Sequence, residues 1–388
     1  MSKVAIIRCN SYDTEVVNAA IERGVNLLGG ISAFITPGET ILLKPNLVAA
    51  DPPEKCSTTH PAVMEGILHL LSKEPVTVTY GDSPGFHSPQ HAAKKSGLAK
   101  VANKYQINLA DFVNGKDVFN EGSLQNKVLH IANGVLEADG LISLPKLKTH
   151  GLQKMTGAIK NQFGCVPGPL KGEMHVKLPN AIDFAQMLVD LNTYVKPRLY
   201  IMDGIMAMEG NGPRGGSPLQ MNVLLFSNDP VALDAVVCRL VDLDPSLVPT
   251  TQMGQAVGLG TYLEEEIDLL GDDLQQFKQV NFDVDRQALK PFKKGFIAKF
   301  TNTLLVPKPY IKEEDCVKCG VCVLMCPVEG KAINWNKGDK TIAPIYNYNK
   351  CIRCYCCQEM CPESAIELDV PILRRIIAKT SNKMPYKG

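Results

Sequence analysis

The stretch that most constrains this chain lies near its end. It reads Cys316-Val-Lys-Cys319-Gly-Val-Cys322-Val-Leu-Met-Cys326-Pro327 and, after a spacer, Cys351-Ile-Arg-Cys354-Tyr-Cys356-Cys357-Gln-Glu-Met-Cys361-Pro362. Both runs are Cys-x-x-Cys-x-x-Cys-x-x-x-Cys-Pro, a spacing that ligates 4Fe–4S clusters. The first three thiols of such a run hold three corners of one cubane, and the fourth reaches across to the other cluster. The expected ligand sets are Cys316, Cys319, Cys322 and Cys361 for one cluster, and Cys351, Cys354, Cys357 and Cys326 for the other. Zinc fits this spacing poorly, because it usually takes two separated pairs. The proline after each fourth Cys fixes φ and lacks an N–H, which suits a turn away from the cluster. Gly320 lets the backbone approach the sulfides. Cys356 falls off the ligand register and reads as a spectator.

The two runs are also an internal repeat, since Cys326-Pro-Val-Glu-Gly-Lys-Ala-Ile333 is echoed by Cys361-Pro-Glu-Ser-Ala-Ile366. Over about 313–370 the chain resembles the two-cluster bacterial ferredoxins. The resemblance implies a small ferredoxin-like domain that carries two 4Fe–4S clusters and moves single electrons.

Composition limits the partners. With 41 basic and 40 acidic residues the net charge is +1. That balance asks for neither nucleic acid nor an anionic membrane. No apolar run reaches the ~20 residues of a membrane span, so no transmembrane segment is expected. Arg8 and Asn10 interrupt any apolar core of a signal peptide. Of 13 cysteines, eight are cluster ligands by spacing. The others (Cys9, Cys56, Cys165, Cys238, Cys356) form no disulfide framework, which points to a reducing cytoplasm.

Upstream, short β-branched runs alternate with helical periodicity. Strands are predicted at 3–8, 41–43, 76–80, near Ile107, and at 128–131, 141–144, 199–202 and 223–226. Helices are predicted at 13–28, 61–72, 90–105, 180–195 and 230–241. This alternation predicts an α/β fold, with a largely parallel sheet and flanking helices, plus the small C-terminal ferredoxin-like domain. The expected division is an α/β domain over 1–285, a basic linker or arm over 286–312, the cluster domain over 313–370 and a tail over 371–388.

The strand ends carry a second signal. Four strands run into turns with charged residues: Lys44 and Asn46; Asp82 and Ser83; Lys146, Lys148 and His150; Asp203, with Glu209 and Asn211 shortly after. Ligands of open α/β sheets bind outside the carboxyl ends of the strands. Lys44, Asn46, Ser83, Lys146, Lys148, Lys160 and Asn161, with Arg214, are expected to hold a small anionic ligand, a carboxylate or phosphate. His150, Asp82, Asp203 and Glu209 are the expected acid, base or metal-binding groups, with His175 as a further candidate. Each has a plainer reading as turn chemistry or a structural ion pair. The loop Glu209–Gly216 is glycine-rich enough to close over a ligand. Cys165 reads either as a reactive thiol near Lys160 or as a small buried hydrophobe.

Several of these blocks resemble the family called domain of unknown function 362. They are Lys44-Pro-Asn-Leu47, Thr58-Thr-His-Pro61, Gly81-Asp-Ser-Pro-Gly85, Leu144-Pro-Lys-Leu-Lys-Thr-His150, Thr156-Gly-Ala-Ile-Lys-Asn-Gln-Phe-Gly164, Asp203-Gly204 with Met208-Glu-Gly-Asn-Gly-Pro213, and Asp229-Pro-Val-Ala-Leu-Asp234. The resemblance covers about 1–260, and it brings no catalytic residues with it. Three readings follow. In the first, the cluster module passes single electrons from a cytoplasmic donor, ferredoxin-like or flavoprotein, to an anionic substrate or cofactor at the strand ends. In the second, the α/β domain docks a larger redox complex. In the third, the clusters are structural or sensing and the α/β domain does acid–base or metal chemistry. The simplest geometry places the cluster of Cys316, Cys319, Cys322 and Cys361 beside the crevice.

Overall fold

The computed structural model describes residues 1–288 and 305–371. Most of the expected arm (289–304) and of the tail (372–388) therefore lies outside the described residues. In chain order the strands are β1 (Ser2–Arg8), β2 (Thr40–Pro45), β3 (Thr77–Tyr80), β4 (Asn108–Leu109), β5 (Gly115–Phe119), β6 (Val128–Ala132), β7 (Gly140–Leu144), β8 (Lys146–His150), β9 (Lys154–Thr156), β10 (Leu199–Glu209), β11 (Ser217–Ser227) and β12 (Ile267–Gly271). The C-terminal module adds β13 (Lys308–Ile311), β14 (Ile333–Asn334), β15 (Ile345–Tyr346) and β16 (Ile366–Asp369).

One large sheet has the order β12-β1-β11-β10-β7-β2-β3-β4, and β8 and β9 branch from β10. The run β10-β7-β2-β3-β4 is parallel throughout. β11 is antiparallel to both β10 and β1. The short 210–216 connection explains that reversal, because a parallel neighbour needs a crossover of a dozen residues or more. The alternation of side chains sorts the core onto two faces. Ala5, Ile7, Ile41, Leu43 and Ile201 face the helices Thr14–Leu27 and Pro61–Leu71. Val4, Ile6, Tyr200, Met202 and Leu225 face the helix Pro230–Leu240. The largely parallel, helix-flanked sheet is the architecture predicted from the sequence.

Local differences have physical causes. The helix expected over 90–105 is two helices, Pro89–Lys95 and Leu98–Lys104, broken where Gly97 takes φ 81°. The block after Leu144 is a strand rather than a turn. Pro145 has no N–H to continue the ladder, so β7 stops and β8 pairs with β10 instead, Lys146 opposite Asp203. The period of two then puts Lys146, Lys148 and His150 on one face, and all three are buried.

The C-terminal module is built on two hairpin-like pairings, β13 with β16 and β14 with β15. The first begins at Lys308, inside the segment expected as linker. Two short helices, Val321–Met325 and Cys356–Met360, carry the third-ligand positions, Cys322 and Cys357, of the two repeats. Each is entered through a left-handed residue, Gly320 at φ 76° and Tyr355 at φ 63°. Gly320 thus has a conformational reason beyond close approach.

Candidate functional site

The carboxyl ends of β2, β3 and β7 converge as expected. Lys44, fully buried, donates to Asp82 Oδ1 at 2.9 Å. The other oxygen of Asp82 accepts from the Leu47 amide at 2.6 Å, and Oδ1 also accepts from the Ser83 amide at 2.9 Å. Gly164 covers this pair so closely that a Cβ there would sit 1.7 Å from Asp82 Oδ1. A glycine is therefore required at that position, because any side chain would force the ion pair apart. Asn161 donates to Ser143 Oγ at 2.9 Å and accepts from Asn46 Nδ2 at 3.0 Å. Lys148 donates to Asn46 Oδ1 at 2.8 Å and to the Ser57 carbonyl.

Beside this network lies a cavity of about 110 Å³. Lys148, Lys160 and Lys171 line it, with Thr156, Phe163 and His175. The three lysines have neutral acceptors or none. Lys171 donates to the Ser83 carbonyl. Lys160 Nζ lies 5.6 Å from the Phe163 ring centroid, with no carboxylate in ion-pair range among the described residues. Burial, reinforced by Lys160, pushes the Lys148 ammonium down to about 7. Burial lowers Lys171 to about 8, although Asp82 opposes this. Burial also lowers Lys160, against the pull of Glu359. Two buried polar atoms of the lining, Thr156 Oγ1 and His175 Nδ1, have no hydrogen-bond partner. Three lysines against one unpaired carboxylate, Glu359, and orphaned polar atoms in one cavity are what an anion-binding site offers.

The remaining wall belongs to the cysteine module: Met325, Cys356, Glu359 and Met360. Glu359 Oε1 lies 2.9 Å from His150 Nε2. His150 Nδ1 accepts from the amides of Leu152 and Gln153, at 3.0 and 3.2 Å. The ring proton must therefore sit on Nε2, facing Glu359. Burial holds His150 neutral, down to about 4. Burial alone would raise Glu359, but its cationic and imidazole neighbours keep it ionised, at about 2. Gln358 Nε2 donates to the carbonyls of Asn211 and Gly212, both at 3.0 Å, and to Asn211 Oδ1 at 2.7 Å. Arg214 forms a bidentate pair with Asp51, both contacts 2.7 Å, and donates to the Met360 carbonyl at 2.8 Å. The glycine-rich loop after β10 thus grips the module, and neither it nor Arg214 is free to close on a ligand.

Inside the module, Cys316, Cys319, Cys322 and Cys361 ring one small cavity. Cys326, Cys351, Cys354 and Cys357 ring a second. These are the two sets expected from the spacing. Among the described residues no three Cys, His, Asp or Glu side chains converge as they would on one ion. Thiols spread around a cavity suit a cubane, whose iron atoms are separate, better than a zinc ion with ligands ~2.3 Å away. The Cys326 thiolate accepts from the Ala332 amide and Cys357 from the Tyr346 hydroxyl, both at 3.2 Å. Cys319 is exposed, whereas Cys354, Cys356 and Cys357 are buried. The cavity wall adjoins the second set through Met325–Cys326 and Cys356–Cys357, and the first set through Met360–Cys361.

Four expected residues, Lys146, Asp203, Glu209 and Cys165, are elsewhere. Lys146 donates to Asp203 at 2.7 Å and to the Tyr12 hydroxyl at 3.0 Å, and Tyr12 also donates to Asp203 at 2.9 Å. That network is closed and stacks Tyr12 on His60. Glu209 accepts from the Asp283 amide at the far end of β10. Cys165 is buried and its thiol is pushed up to about 12 by burial, the behaviour of a hydrophobe. Lys171 and Glu359, which the sequence reading missed, are in the site. A polar pair between two ligand cysteines, where the first repeat has Val323-Leu324, was the available signal for Glu359.

The family model described as Domain of unknown function (DUF362) matches residues 41–239. The 4Fe-4S dicluster domain matches 308–362, so the chain carries two 4Fe–4S clusters. Thylakoid-associated protein sll1697 of Synechocystis sp. is 35% identical over 260 residues, 67% of this chain and 80% of its own length. Among solved structures, the lactate racemase apoprotein of Thermoanaerobacterium thermosaccharolyticum aligns with TM-score 0.39 at 15% identity, over 60% of this chain and 56% of that one. A Thermotoga maritima protein aligns with TM-score 0.37 at 10% identity, over 58% and 57%. Both alignments span little more than half of the solved chains. The lysine-bearing strand ends and the repeated cysteine runs thus sit in one chain, which belongs to the domain of unknown function 362 family and ends in a 4Fe–4S dicluster module.

Proposed function

We propose that the chain is an iron–sulfur reductase acting on an anion held between its two domains. The observation that carries this reading is the shared wall: the cavity of Lys148, Lys160 and Lys171 is closed by Cys356 and Glu359 of the cluster module. Cys326, Cys351, Cys354 and Cys357 would hold the cluster beside the ligand, and Cys316, Cys319, Cys322 and Cys361 the cluster beside solvent. When bound, the clusters supply low-potential single electrons. The donor, a ferredoxin-like protein or a flavoprotein in a reducing cytoplasm, meets the exposed Cys319 side. It loses the same number of electrons that the ligand gains.

The chain's own residues do the rest. Lys160 and Lys171 neutralise the bound charge. Lys148, near neutrality in its ionisation, holds or gives a proton at Nζ. Asp82 positions Lys44 and the Leu47 and Ser83 amides. His150 positions Glu359. Asn46 and Asn161 fix Lys148.

The test uses chain purified without oxygen, holding about eight iron and eight sulfide. Acetate and inorganic phosphate are titrated while thermal stability and the reduced-cluster EPR spectrum are followed. One of the two anions should raise the melting temperature and perturb the spectrum, and Lys160→Met should abolish both effects. A wild-type protein indifferent to both anions and indistinguishable from Lys160→Met sinks the reading.

A further inference from the structure

The cavity is small for an organic substrate. At about 110 Å³ it has room for roughly four water volumes. Ligand pockets usually run to ~300–1,000 Å³. A head group fits, but not a whole metabolite.

The cavity is not closed on every side. Beside it lies a groove of about 780 Å³ between the α/β domain and the module. Ser83, Gly85, Gly168, Gly172 and Met325 line both spaces, so the two are adjacent. The groove has a different character. Phe86, Phe112, Val113, Val176 and Leu324 line it. Phe86, Val113, Val176 and Leu324 are among the large hydrophobics that the described residues leave exposed, at 39, 55, 42 and 62%. Isolated exposed hydrophobics are ordinary, but four around one concave space mark a binding surface. The charged residues of its lining are Glu173, Lys177 and Lys331. Lys331 is tied to the Leu324 and Cys326 carbonyls, at 3.1 and 2.6 Å.

Resting on the proposed reading of the cavity, we infer that the ligand is an amphipathic organic anion. Its carboxylate or phosphate head sits among Lys148, Lys160 and Lys171, and its apolar body runs out between Phe86, Val113, Val176 and Leu324. The groove favours one small molecule over a protein partner because it lies directly against the charged cavity. A protein docking on it would leave the lysines uncompensated.

The experiment is a calorimetric titration of the cluster-loaded full chain with acetate, octanoate, inorganic phosphate and octyl phosphate. Octanoate or octyl phosphate should bind at least about tenfold more tightly than its short counterpart, from the added apolar burial. The pair showing the gain identifies the head. Val176→Asp, an exposed change, should remove the gain and leave the short anion's affinity unchanged. Lys160→Met should weaken both members of the pair. Equal binding of short and long anions, lost in Lys160→Met, overturns this inference and leaves the anion site standing. Long-chain binding that survives Lys160→Met also overturns it, as the groove would then be a generic apolar patch. So would a Val176→Asp protein that binds octanoate normally but accepts electrons poorly from a reduced ferredoxin. Indifference of the wild type to all four probes refutes the anion site itself.

Discussion

The two short helices of the cluster module come from the same repeat, yet they meet the protein in opposite ways. The first carries Val323-Leu324 between its ligand cysteines, and Leu324 is 62% exposed. The second carries Gln358-Glu359 at the matching places, and they are 2 and 8% exposed. An apolar residue faces outward and a polar pair is buried, the reverse of the usual sorting. The difference shows what each helix is for. Gln358 and Glu359 are buried because hydrogen-bond and ionic partners await them across the domain boundary, which orients the module on the α/β domain. Leu324 stays exposed because it lines the groove above the lysine cavity.

Erasing the asymmetry tests it, and the largest effect is expected at Glu359. Glu359→Leu copies the first helix but removes the carboxylate that faces the buried Nε2 of His150. A buried donor left without its ionised acceptor costs about 3 kcal/mol, and Glu359 is only 8% exposed. Urea unfolding, followed anaerobically by cluster absorbance, should show that loss; a change under about 1 kcal/mol contradicts it. Gln358→Val removes the donor to Asn211 and Gly212 and strands two carbonyls, for about 1–3 kcal/mol by the same measurement. If the stability is unchanged, the orienting contact is not there.

A smaller effect is expected from pH. Burial holds Lys148 near 7 and Lys171 near 8, below the ordinary 10.5. Between those values the unfolded chain binds more protons than the folded one. Stability of the ligand-free protein should therefore rise with pH from about 7 towards 10.5, the penalty being complete below 7. Anion affinity runs the other way, falling by up to about tenfold per unit above pH 7–8 as each lysine discharges. A pH-independent affinity in calorimetry across pH 6–9 would separate these lysines from the ligand. The smallest effect belongs to Leu324→Glu, which makes the first helix resemble the second. Stability should move by no more than about 0.5 kcal/mol, while octanoate or octyl phosphate binding weakens. Marked destabilisation instead would mean that Leu324 packs as core.

Much of this was legible in the residues themselves. The cysteine spacing foretold two thiol sets, and both ring cavities. Lys44, Asn46, Asp82, Lys148 and Asn161 meet at the strand ends, because a parallel sheet brings those ends to one edge. What spacing could not show is the partition of charge across that edge. Lys146 and Lys148 are two residues apart on β8, yet Lys146 is paired with Asp203 and Lys148 has only neutral acceptors. Only the register of β8 against β10 decides which lysine finds a carboxylate. The role of Arg214 was equally hidden, since Asp51 and Met360 are distant in sequence. Lys171 stood in a Gly- and Lys-rich segment with weak periodicity that folds as the helix Gly168–Lys177.

One further consequence follows from the shared wall. The lysines of the cavity are synthesised long before the helix Cys356–Met360 that closes it. That helix is anchored at both ends by thiols assigned to iron, so its fold is tied to cluster assembly. On the proposed function, a newly made chain that has not yet received its metal would have the cationic floor but no finished lid. Maturation and substrate capture would then be ordered in time, the place for the anion arising only once the means of reducing it has been installed.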